Sequence, residues 1–465
     1  MRGFFLTASS IRTFVTQTLE QLRTGKLIGI QRLKLACGLT DFPREIFDLA
    51  ETLEILDLSG NALSSLPDDL PRLRKLRIIF CSDNQFTELP EVLGQCPQLS
   101  MVAFKANHIK TVSAKSIPAN LRWLILTDNQ IEELPAEIGN CRELQKLALA
   151  GNRLQDLPAT MSACSRLELV RISANRLREL PEWLLSLPRL SWLAYAGNPF
   201  CEAREQLALA ATPVASIDWD ALQLQGKLGE GASGVIHRAD HRHGMEVRPV
   251  AVKMFKGAVT SDGLPDSEMA SWLAAGTHPN LIPIEGRVTA HPASATGLVM
   301  PLVDPEFRAL AGPPSLDSCT RDIYAAGLSF EPAQILGISH GIASAARHLH
   351  DQGIMHGDLY AHNILHSGNG VALLGDFGAA SLFAPESRAA QGLQRLEVRA
   401  FGYLLEELIV RCSLADRSQG LLEQLDDLKS ACLNSDIAAR PLFHQIEDML
   451  FRLAQMRRQA ETPVH

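Results

Sequence analysis

Two carboxylates and one amide stand at a spacing that suits chemistry on phosphate groups. Asp358 and Asn363 lie five positions apart in one loop-like segment, and Asp376 follows Asp358 by 18 residues, in the sequence Asp376-Phe377-Gly378. Carboxylate and amide oxygens are the hard ligands that Mg²⁺ prefers in proteins. We therefore expect Asn363 and Asp376 to hold Mg²⁺ on nucleotide phosphates, and Asp358 to accept or orient an attacking hydroxyl group.

A lysine upstream is placed to contact the same phosphates. Lys253 closes the alternating apolar stretch Val250-Ala251-Val252-Lys253, which predicts a β-strand with this lysine facing inward. A lysine that faces inward needs an anionic partner. Glu268, near the start of a predicted helix, can provide it, so the pair would direct Lys253 towards the α- and β-phosphates. The alternative is that Glu268 is an ordinary solvated residue at a helix end.

A glycine-rich segment precedes this lysine. Gly229–Gly234 reads Gly-x-Gly-x-x-Gly, a motif that is weak by itself because it also occurs in dinucleotide-binding folds and in ordinary turns. A dinucleotide site would be followed by a helix, whereas Val235–Arg238 continues as a predicted β-hairpin. Glycines let backbone amides approach phosphate oxygens without obstruction by side chains.

Taken in order and spacing, these motifs resemble the protein-kinase superfamily over about residues 220–455. The resemblance implies a two-lobed fold, ATP and Mg²⁺, and transfer of the γ-phosphate to a protein hydroxyl, most typically of Ser or Thr. It implies catalytic roles for Asp358, Lys253, Glu268 and Asn363, and metal binding by Asn363 and Asp376. The implied nucleotide contacts are Gly229, Glu230, Gly231, Ala232, Ser233, Gly234, Ile236, Ala251, Lys253, Met300, Leu302 and Val303. It also implies that Arg440 pairs with Glu386 of Ala384-Pro385-Glu386.

The segment after Asp376-Phe377-Gly378 departs from the family. Only five residues, 379–383, separate it from Ala384-Pro385-Glu386, where the family usually has about 20 or more. Gly357 stands where the family has an arginine that receives the activation-loop phosphate. We therefore expect that activity is not switched by phosphorylation of an activation loop.

The residues after Asp358 depart as well. Tyr360 replaces the lysine of typical Ser/Thr kinases, and His362 is not the arginine of typical tyrosine kinases. The missing lysine would steady the transferring phosphoryl group, so we expect a slower enzyme or a substitute cation. Two alternatives to a protein kinase remain open here. One is a nucleotide-binding pseudokinase scaffold, and the other is a small-molecule phosphotransferase of the aminoglycoside type.

The first two hundred residues carry a repeat. An asparagine recurs at intervals of 22 or 23 residues, at positions 61, 84, 107, 129, 152, 175 and 198, within the frame Leu53-x-x-Leu56-x-Leu58-x-x-Asn61-x-Leu63-x-x-Leu66-Pro67. The Leu-x-Leu segment predicts a short strand with both leucines in the core, and the asparagine amide can satisfy backbone groups of neighbouring turns. The pattern resembles the leucine-rich-repeat family over roughly residues 30–200 and implies a solenoid that binds proteins.

The side chains between the leucines should line the concave face of that solenoid. Two outward columns are rich in apolar residues, and a large exposed apolar surface with tryptophans marks an interaction site. We therefore predict that a protein partner binds there, with docking on the second domain as the alternative. The predicted partner face comprises Ile55, Ile78, Phe80, Met101, Trp123, Ile125, Leu169 and Trp192.

Composition and length complete the picture. The net charge of −8 argues against a broad nucleic-acid-binding surface. Nine scattered cysteines indicate free thiols, and no apolar stretch approaches about 18 residues. We thus expect a cytoplasmic protein of multidomain α/β plus α+β class, a leucine-rich-repeat solenoid followed by a two-lobed protein-kinase fold. The predicted parts are a cap with a degenerate repeat (1–52), repeats (53–200), a capping helix and linker (201–218), and the kinase domain (219–455).

Overall fold

A computed structural model describes residues 17–211, 214–231, 233–257, 260, 262–413 and 419–461. Most of the predicted N-terminal cap (1–16) and Ala232 of the glycine-rich segment lie outside the described residues. The domain boundaries given above remain predictions.

The first half is a solenoid built on one parallel sheet of eight strands in chain order. Each strand has three residues, because the Leu-x-Leu frame offers only that many extended positions before the asparagine turn. Leu56 and Leu58 are fully buried, as the frame predicts. Short 3₁₀ helices form the convex side. A short helix, α1 (Leu19–Arg23), precedes the strands, which are β1 (Arg32–Lys34), β2 (Ile55–Asp57), β3 (Ile78–Phe80), β4 (Met101–Ala103), β5 (Trp123–Ile125), β6 (Lys146–Ala148), β7 (Leu169–Arg171) and β8 (Trp192–Ala194).

The repeated asparagines join adjacent turns. The Asn152 carbonyl oxygen accepts a hydrogen bond from the Ile131 backbone N–H at 3.0 Å, and its amide donates to the carbonyls of Leu126 and Leu149, both at 2.9 Å. The other repeats make the same contacts, as between Asn175 and Leu154. The amide thus satisfies buried backbone groups that a turn would otherwise leave unpaired. This confirms the role expected from the sequence.

The second half has two lobes. The strands of this half are β9 (Ala215–Asp218), β10 (Leu222–Glu230), β11 (Gly234–His243), β12 (Glu246–Phe255), β13 (Gly286–Thr289), β14 (Gly297–Pro301), β15 (Arg308–Ala309), β16 (Ile354–Met355), β17 (Ile364–His366), β18 (Ala372–Leu374) and β19 (Ser381–Leu382). The helices of the two lobes are α3 (Pro265–Ala275), α4 (Pro332–Asp351), α5 (Ala390–Val410), α6 (Gln419–Cys432) and α7 (Phe443–Glu461). The first lobe holds a six-stranded sheet, ordered β10-β11-β12-β14-β13-β9, and helix α3; the second lobe is mainly helical and carries two small sheets.

The connection between the halves is short and structured. Helix α2 (Glu202–Ala211) follows the last repeat, and β9 then pairs in parallel with β13 at the edge of the six-stranded sheet. Ser267 at the start of α3 donates a hydrogen bond to Glu205 of α2 at 2.8 Å. The solenoid is therefore fixed to the sheet lobe.

The concave face of the solenoid is covered by the second half of the chain, which corrects one prediction. The loop of residues 310–330, between β15 and α4, enters the concavity, where Cys319 packs against Trp123 and Met101. Trp192 and Leu169 join the core of the helical lobe. The predicted exposure of this apolar face is wrong for Ile55, Ile78, Met101, Trp123, Leu169 and Trp192, which are all buried, and Phe80 and Ile125 are partly buried against the same cluster. Docking within the chain, the alternative, is what the structure shows.

Two further observations concern the whole chain. All nine cysteines are free thiols, and only Cys37 is exposed, as the scattered spacing predicts. Of the helices that the structure describes, none combines the length and the apolar character that crossing a bilayer requires.

Candidate active site

Lys253 lies on β12 and faces two carboxylates. Its ammonium group contacts the Glu268 carboxylate of α3 and the Asp376 Oδ1 atom at 3.1 Å. Lys253 and Glu268 are almost completely buried. The alternative of a solvated Glu268 is therefore wrong, and the lysine links the sheet, the helix and the Asp376 loop.

Electrostatics favours a charged lysine at this position. Burial would lower the pKa of Lys253, but the Asp376 and Glu268 carboxylates raise it on balance above its ordinary value. Burial raises the pKa of Glu268 to about 7, against the effect of Lys253. A lysine that faces two carboxylates keeps its proton, so the site presents a charged ammonium group that can meet a phosphate. Asp376 has a φ of 55°, a backbone conformation that few residues other than glycine adopt.

Asp358 and Asn363 form the second group of the site. The Asn363 amide donates to the Asp358 backbone carbonyl at 2.9 Å and to Asp358 Oδ2 at 3.0 Å. This contact joins the two ends of a short loop, in which residues 361–363 form a single 3₁₀ turn. Because the side-chain amide donates through Nδ2, its oxygen Oδ1 is the Asn363 atom that can bind a cation.

A buried glutamate holds the backbone of the two residues that precede Asp358 in the chain. Glu397 on α5 accepts hydrogen bonds from the backbone N–H groups of His356 at 3.2 Å and Gly357 at 2.7 Å, and it contacts His350 Nε2 at 2.8 Å. Burial would raise the pKa of Glu397, but the His350 contact and the other hydrogen bonds lower it on balance. An ionised Glu397 therefore fixes the direction in which Asp358 points.

The glycine-rich segment closes over the site. Gly229 and Glu230 end β10, Gly231 donates a backbone hydrogen bond to Gly234 at 3.0 Å, and Ser233 is buried. A Cβ atom at Gly234 would lie 2.6 Å from the backbone oxygen of Met254 on β12. Only glycine allows this close approach of the hairpin to the Lys253 strand.

Apolar residues expected around an adenine ring come together. Ala251 and Met300 belong to the large hydrophobic cluster of the helical lobe, Ile236 and Leu302 pack against it, and Ala251 pairs with Met300 across β12 and β14. Val303 lies one residue further along the chain and lines an adjacent cleft with Leu302 and Leu373. The contacts of these residues with a nucleotide remain predictions.

Comparison with known families agrees with this geometry. Residues 222–401 match the model of the protein tyrosine and serine/threonine kinase family, and residues 52–73 and 120–141 match the leucine-rich-repeat model. The chain joins leucine-rich repeats to a protein-kinase domain. Such a domain uses ATP as its phosphate donor.

Curated proteins similar to the chain match about a third of its length. They include the serine/threonine-protein kinase PITSLRE of Drosophila melanogaster, 28% identical over 34% of this chain and 16% of the relative. Cyclin-dependent kinase 11B of Mus musculus is 25% identical over 36% of this chain and 20% of its own length. Ephrin type-B receptor 4a of Danio rerio is 32% identical over 35% and 15%. The chain thus spans less than a third of the length of each of these relatives.

The repeats contribute residues to the kinase domain that the sequence analysis did not assign to the site. Arg171 of β7 forms an ion pair with Asp358 and donates to the Gly357 carbonyl at 3.1 Å. Trp192 of β8 stacks on Tyr360 with ring centres 4.2 Å apart and donates to the Leu359 carbonyl at 3.2 Å. The feature of the sequence that could have identified this contact is Arg171 itself. It is a cation among outward-facing strand residues that are otherwise mostly small or apolar.

One expected pair is absent. Glu386 is largely exposed and contacts Arg204 of α2, so the prediction that it pairs with Arg440 is wrong. Arg440 is buried and donates to the backbone carbonyls of Asn434, Arg395 and, in the last repeat, Pro188, at 2.9, 3.2 and 2.7 Å. The Glu386 side chain lies at the surface, and the repeats supply one of the three carbonyls to which Arg440 donates.

The donor set fits a Mg²⁺ ion that is shared with phosphates. Asp376 keeps a side chain that is 44% exposed, and the Asn363 carbonyl oxygen is the other candidate ligand. Among the described residues, no group of three or more His, Cys, Asp and Glu side chains could hold a metal by itself. Two protein oxygens with nucleotide phosphates completing the shell match the way proteins bind Mg²⁺.

Proposed function

We propose that this chain is an ATP-dependent protein kinase that transfers the γ-phosphate to a Ser or Thr hydroxyl. The observation that carries the proposal is the contact of Lys253 with both Glu268 and Asp376, which links the two lobes as phosphoryl transfer requires. Lys253 would bind the phosphates, while Asn363 and Asp376 would hold Mg²⁺, which neutralises charge on them. Asp358 would orient the acceptor hydroxyl and take its proton.

The test is phosphate transfer from γ-labelled ATP by the full chain with Mg²⁺, followed by mapping of modified residues by mass spectrometry. We expect Asp376→Ala and Asp358→Asn to lower transfer by at least about 10²-fold while thermal unfolding stays cooperative. Asp426→Asn, on an exposed part of α6, is the matched control and should keep full activity. Absence of transfer to this chain and to any protein acceptor, in the presence of bound nucleotide, would contradict the proposal.

A nucleotide-binding scaffold is the second candidate, and one observation favours it. Both Asp358 oxygens are occupied, one by Arg171 and the other by Asn363, and the repeats cover the neighbouring Tyr360. Stabilisation by Mg-ATP in a thermal-shift assay, without turnover on proteins or on small hydroxyl and amino-sugar acceptors, would support the scaffold. Transfer to amino sugars alone would support a small-molecule phosphotransferase.

The role of the repeats is also a proposal. Leucine-rich repeats are binding modules. Here the surface predicted for a partner is covered by the kinase domain of the same chain, through loop 310–330 and the helical lobe. We infer that the concave face has a role within this chain, which is to position residues 356–363. The cytoplasmic location and the binding of an external protein remain predictions.

A further inference from the structure

Phosphoryl transfer places negative charge on the oxygens of the transferred group. Proteins commonly stabilise this charge with a cation near the acceptor. The loop that carries Asp358 has Tyr360 in place of the lysine of typical Ser/Thr kinases, and His362 is engaged with Asp322 at 2.8 Å. Lys253 forms ion pairs with Glu268 and Asp376. The cation that contacts Asp358 directly is Arg171, which belongs to the repeats.

The Arg171 guanidinium is held on three sides. Nη2 pairs with Asp358 Oδ1, Nη1 donates to the Gly357 carbonyl at 3.1 Å, and Nε donates to Asp262 Oδ1 at 2.8 Å. Asp262 lies just before α3 in the sheet lobe, so the guanidinium bridges both lobes at the acceptor side of the site. A guanidinium has five N–H donors, and these contacts use three of them. These contacts leave two of the donors unused, in a side chain that is almost completely buried.

The surroundings keep this group charged and in place. Burial would lower the pKa of Arg171, but Asp358 and Asp262 raise it on balance. The stack of Trp192 on Tyr360 holds β8, next to β7, against the same loop. Lys146 on β6, on the other side of β7, lies over the Trp123 ring, and burial lowers its pKa. Arg171 is therefore the cation of this face that is hydrogen-bonded to the acceptor loop.

A neighbouring polar group points to a ligand at the same place. The Tyr360 phenol interacts electrostatically with both Arg171 and Asp358. Its hydroxyl is buried and has no hydrogen-bond partner among the described residues. A buried hydroxyl is normally satisfied, and a bound substrate is one way to satisfy it.

We propose that Arg171 is a catalytic residue, a cation that the repeats supply in cis to the phosphoryl group in transit. The inference rests on the proposed kinase function. In the step, the acceptor oxygen forms a bond to the γ-phosphorus, and the bond from that phosphorus to the β–γ bridging oxygen breaks. The electron pair leaves with ADP, and the hydroxyl proton passes to Asp358. Arg171 donates its remaining N–H groups to the oxygens of the transferred group.

The test compares the full chain with Arg171→Ala, Arg171→Lys and, as a matched control, Arg176→Ala, an exposed arginine of the same repeat. For Arg171→Ala we expect kcat to fall by about 10²–10³-fold with the KM for ATP nearly unchanged. Binding of Mg-ADP should be retained, whereas the added stabilisation by Mg-ADP with aluminium fluoride, a mimic of the transferring phosphoryl group, should be lost. Arg176→Ala should match the unchanged chain in every measurement.

Arg171→Lys addresses the possibility that the alanine variant does not fold. It keeps the charge but cannot make three directed contacts, so we expect a folded protein with a smaller loss of kcat and weakened aluminium fluoride binding. An increase in kcat on either substitution would show an autoinhibitory contact and overturn the inference, as would unchanged aluminium fluoride binding. If the unchanged chain binds Mg-ATP and transfers nothing, the proposed function fails and takes this inference with it. Transfer that is insensitive to Arg171 overturns the inference alone.

Discussion

Gly357 stands where any side chain would meet backbone from two directions. Its φ is +74°, and a Cβ atom would lie 2.5 Å from the Ala379 oxygen and 2.6 Å from the Leu193 oxygen in the last repeat. A side chain at this position has no room, because the Ala379 and Leu193 carbonyls both occupy the place. The absence of the arginine expected from the family thus agrees with the short segment 379–383 and with the docked repeats.

Replacing Gly357 should measure this constraint. We expect Gly357→Ala to cost about 1–3 kcal/mol, since alanine is strained at this φ and backbone must shift on one side. The readout is the midpoint of thermal unfolding, which should fall by several degrees. Gly368→Ala is the control, because a Cβ atom there meets nothing within 4 Å. Equal stability of both variants would contradict the close contact.

At the scale of elements, the last repeat packs against the short segment that follows Asp376-Phe377-Gly378. Residues 379–383 form only the short strand β19, which pairs with β16. The Ser381 hydroxyl accepts a hydrogen bond from the Tyr195 backbone N–H of the solenoid at 3.0 Å. A segment of five residues cannot form a platform of its own, and here it packs directly against the solenoid.

Arg440 and Glu386 should consequently act independently. We expect Arg440→Ala to destabilise the protein by at least about 2 kcal/mol, because three carbonyls lose a buried donor. Glu386→Ala should stay within about 0.5 kcal/mol, since its side chain is exposed and its ion pair with Arg204 lies at the surface. Chemical unfolding of the single and double variants checks this. An interaction energy between the two sites above about 1 kcal/mol would show that they form a pair after all.

At the scale of the molecule, the two halves share their hydrophobic cores. Met355 and Phe383 of the kinase domain pack with the leucines of the solenoid, while Leu169 and Trp192 pack with the helical lobe. Mixed cores of this kind couple the stability of the two parts. We therefore regard the solenoid and the kinase domain as one structural unit.

Trp192→Ala should expose that coupling. Removing this buried side chain should cost about 3–5 kcal/mol and raise amide hydrogen exchange in residues 356–363 as well as in β7 and β8. Phe86→Ala is the comparison, because Phe86 is equally buried but packs on Phe104 within the solenoid. Faster exchange after Trp192→Ala that is confined to the repeats would contradict a shared core.

The sequence by itself determined the local structures and the main site. The repeat of leucines and asparagines specified the solenoid, because each unit satisfies its own pattern with its nearest neighbours. The order of Lys253, Asp358, Asn363 and Asp376 predicted two groups that the structure brings into contact, Lys253 with Asp376 and Asp358 with Asn363. Such patterns are readable since their physical causes lie within a few residues along the chain.

Only the tertiary structure decided how the halves meet. The apolar concave face indicated burial against something, and periodicity cannot distinguish an external partner from loop 310–330 of the same chain. The contact of Arg171 with Asp358 joins residues 187 positions apart, and no local pattern records it. Glu386 and Arg440 match a family motif but do not pair, because Glu386 lies at the surface and Arg440 donates to three backbone carbonyls, one of them Pro188 of the docked repeats. Contacts between distant segments depend on the shapes of two folded surfaces, which the order of residues in either segment does not reveal.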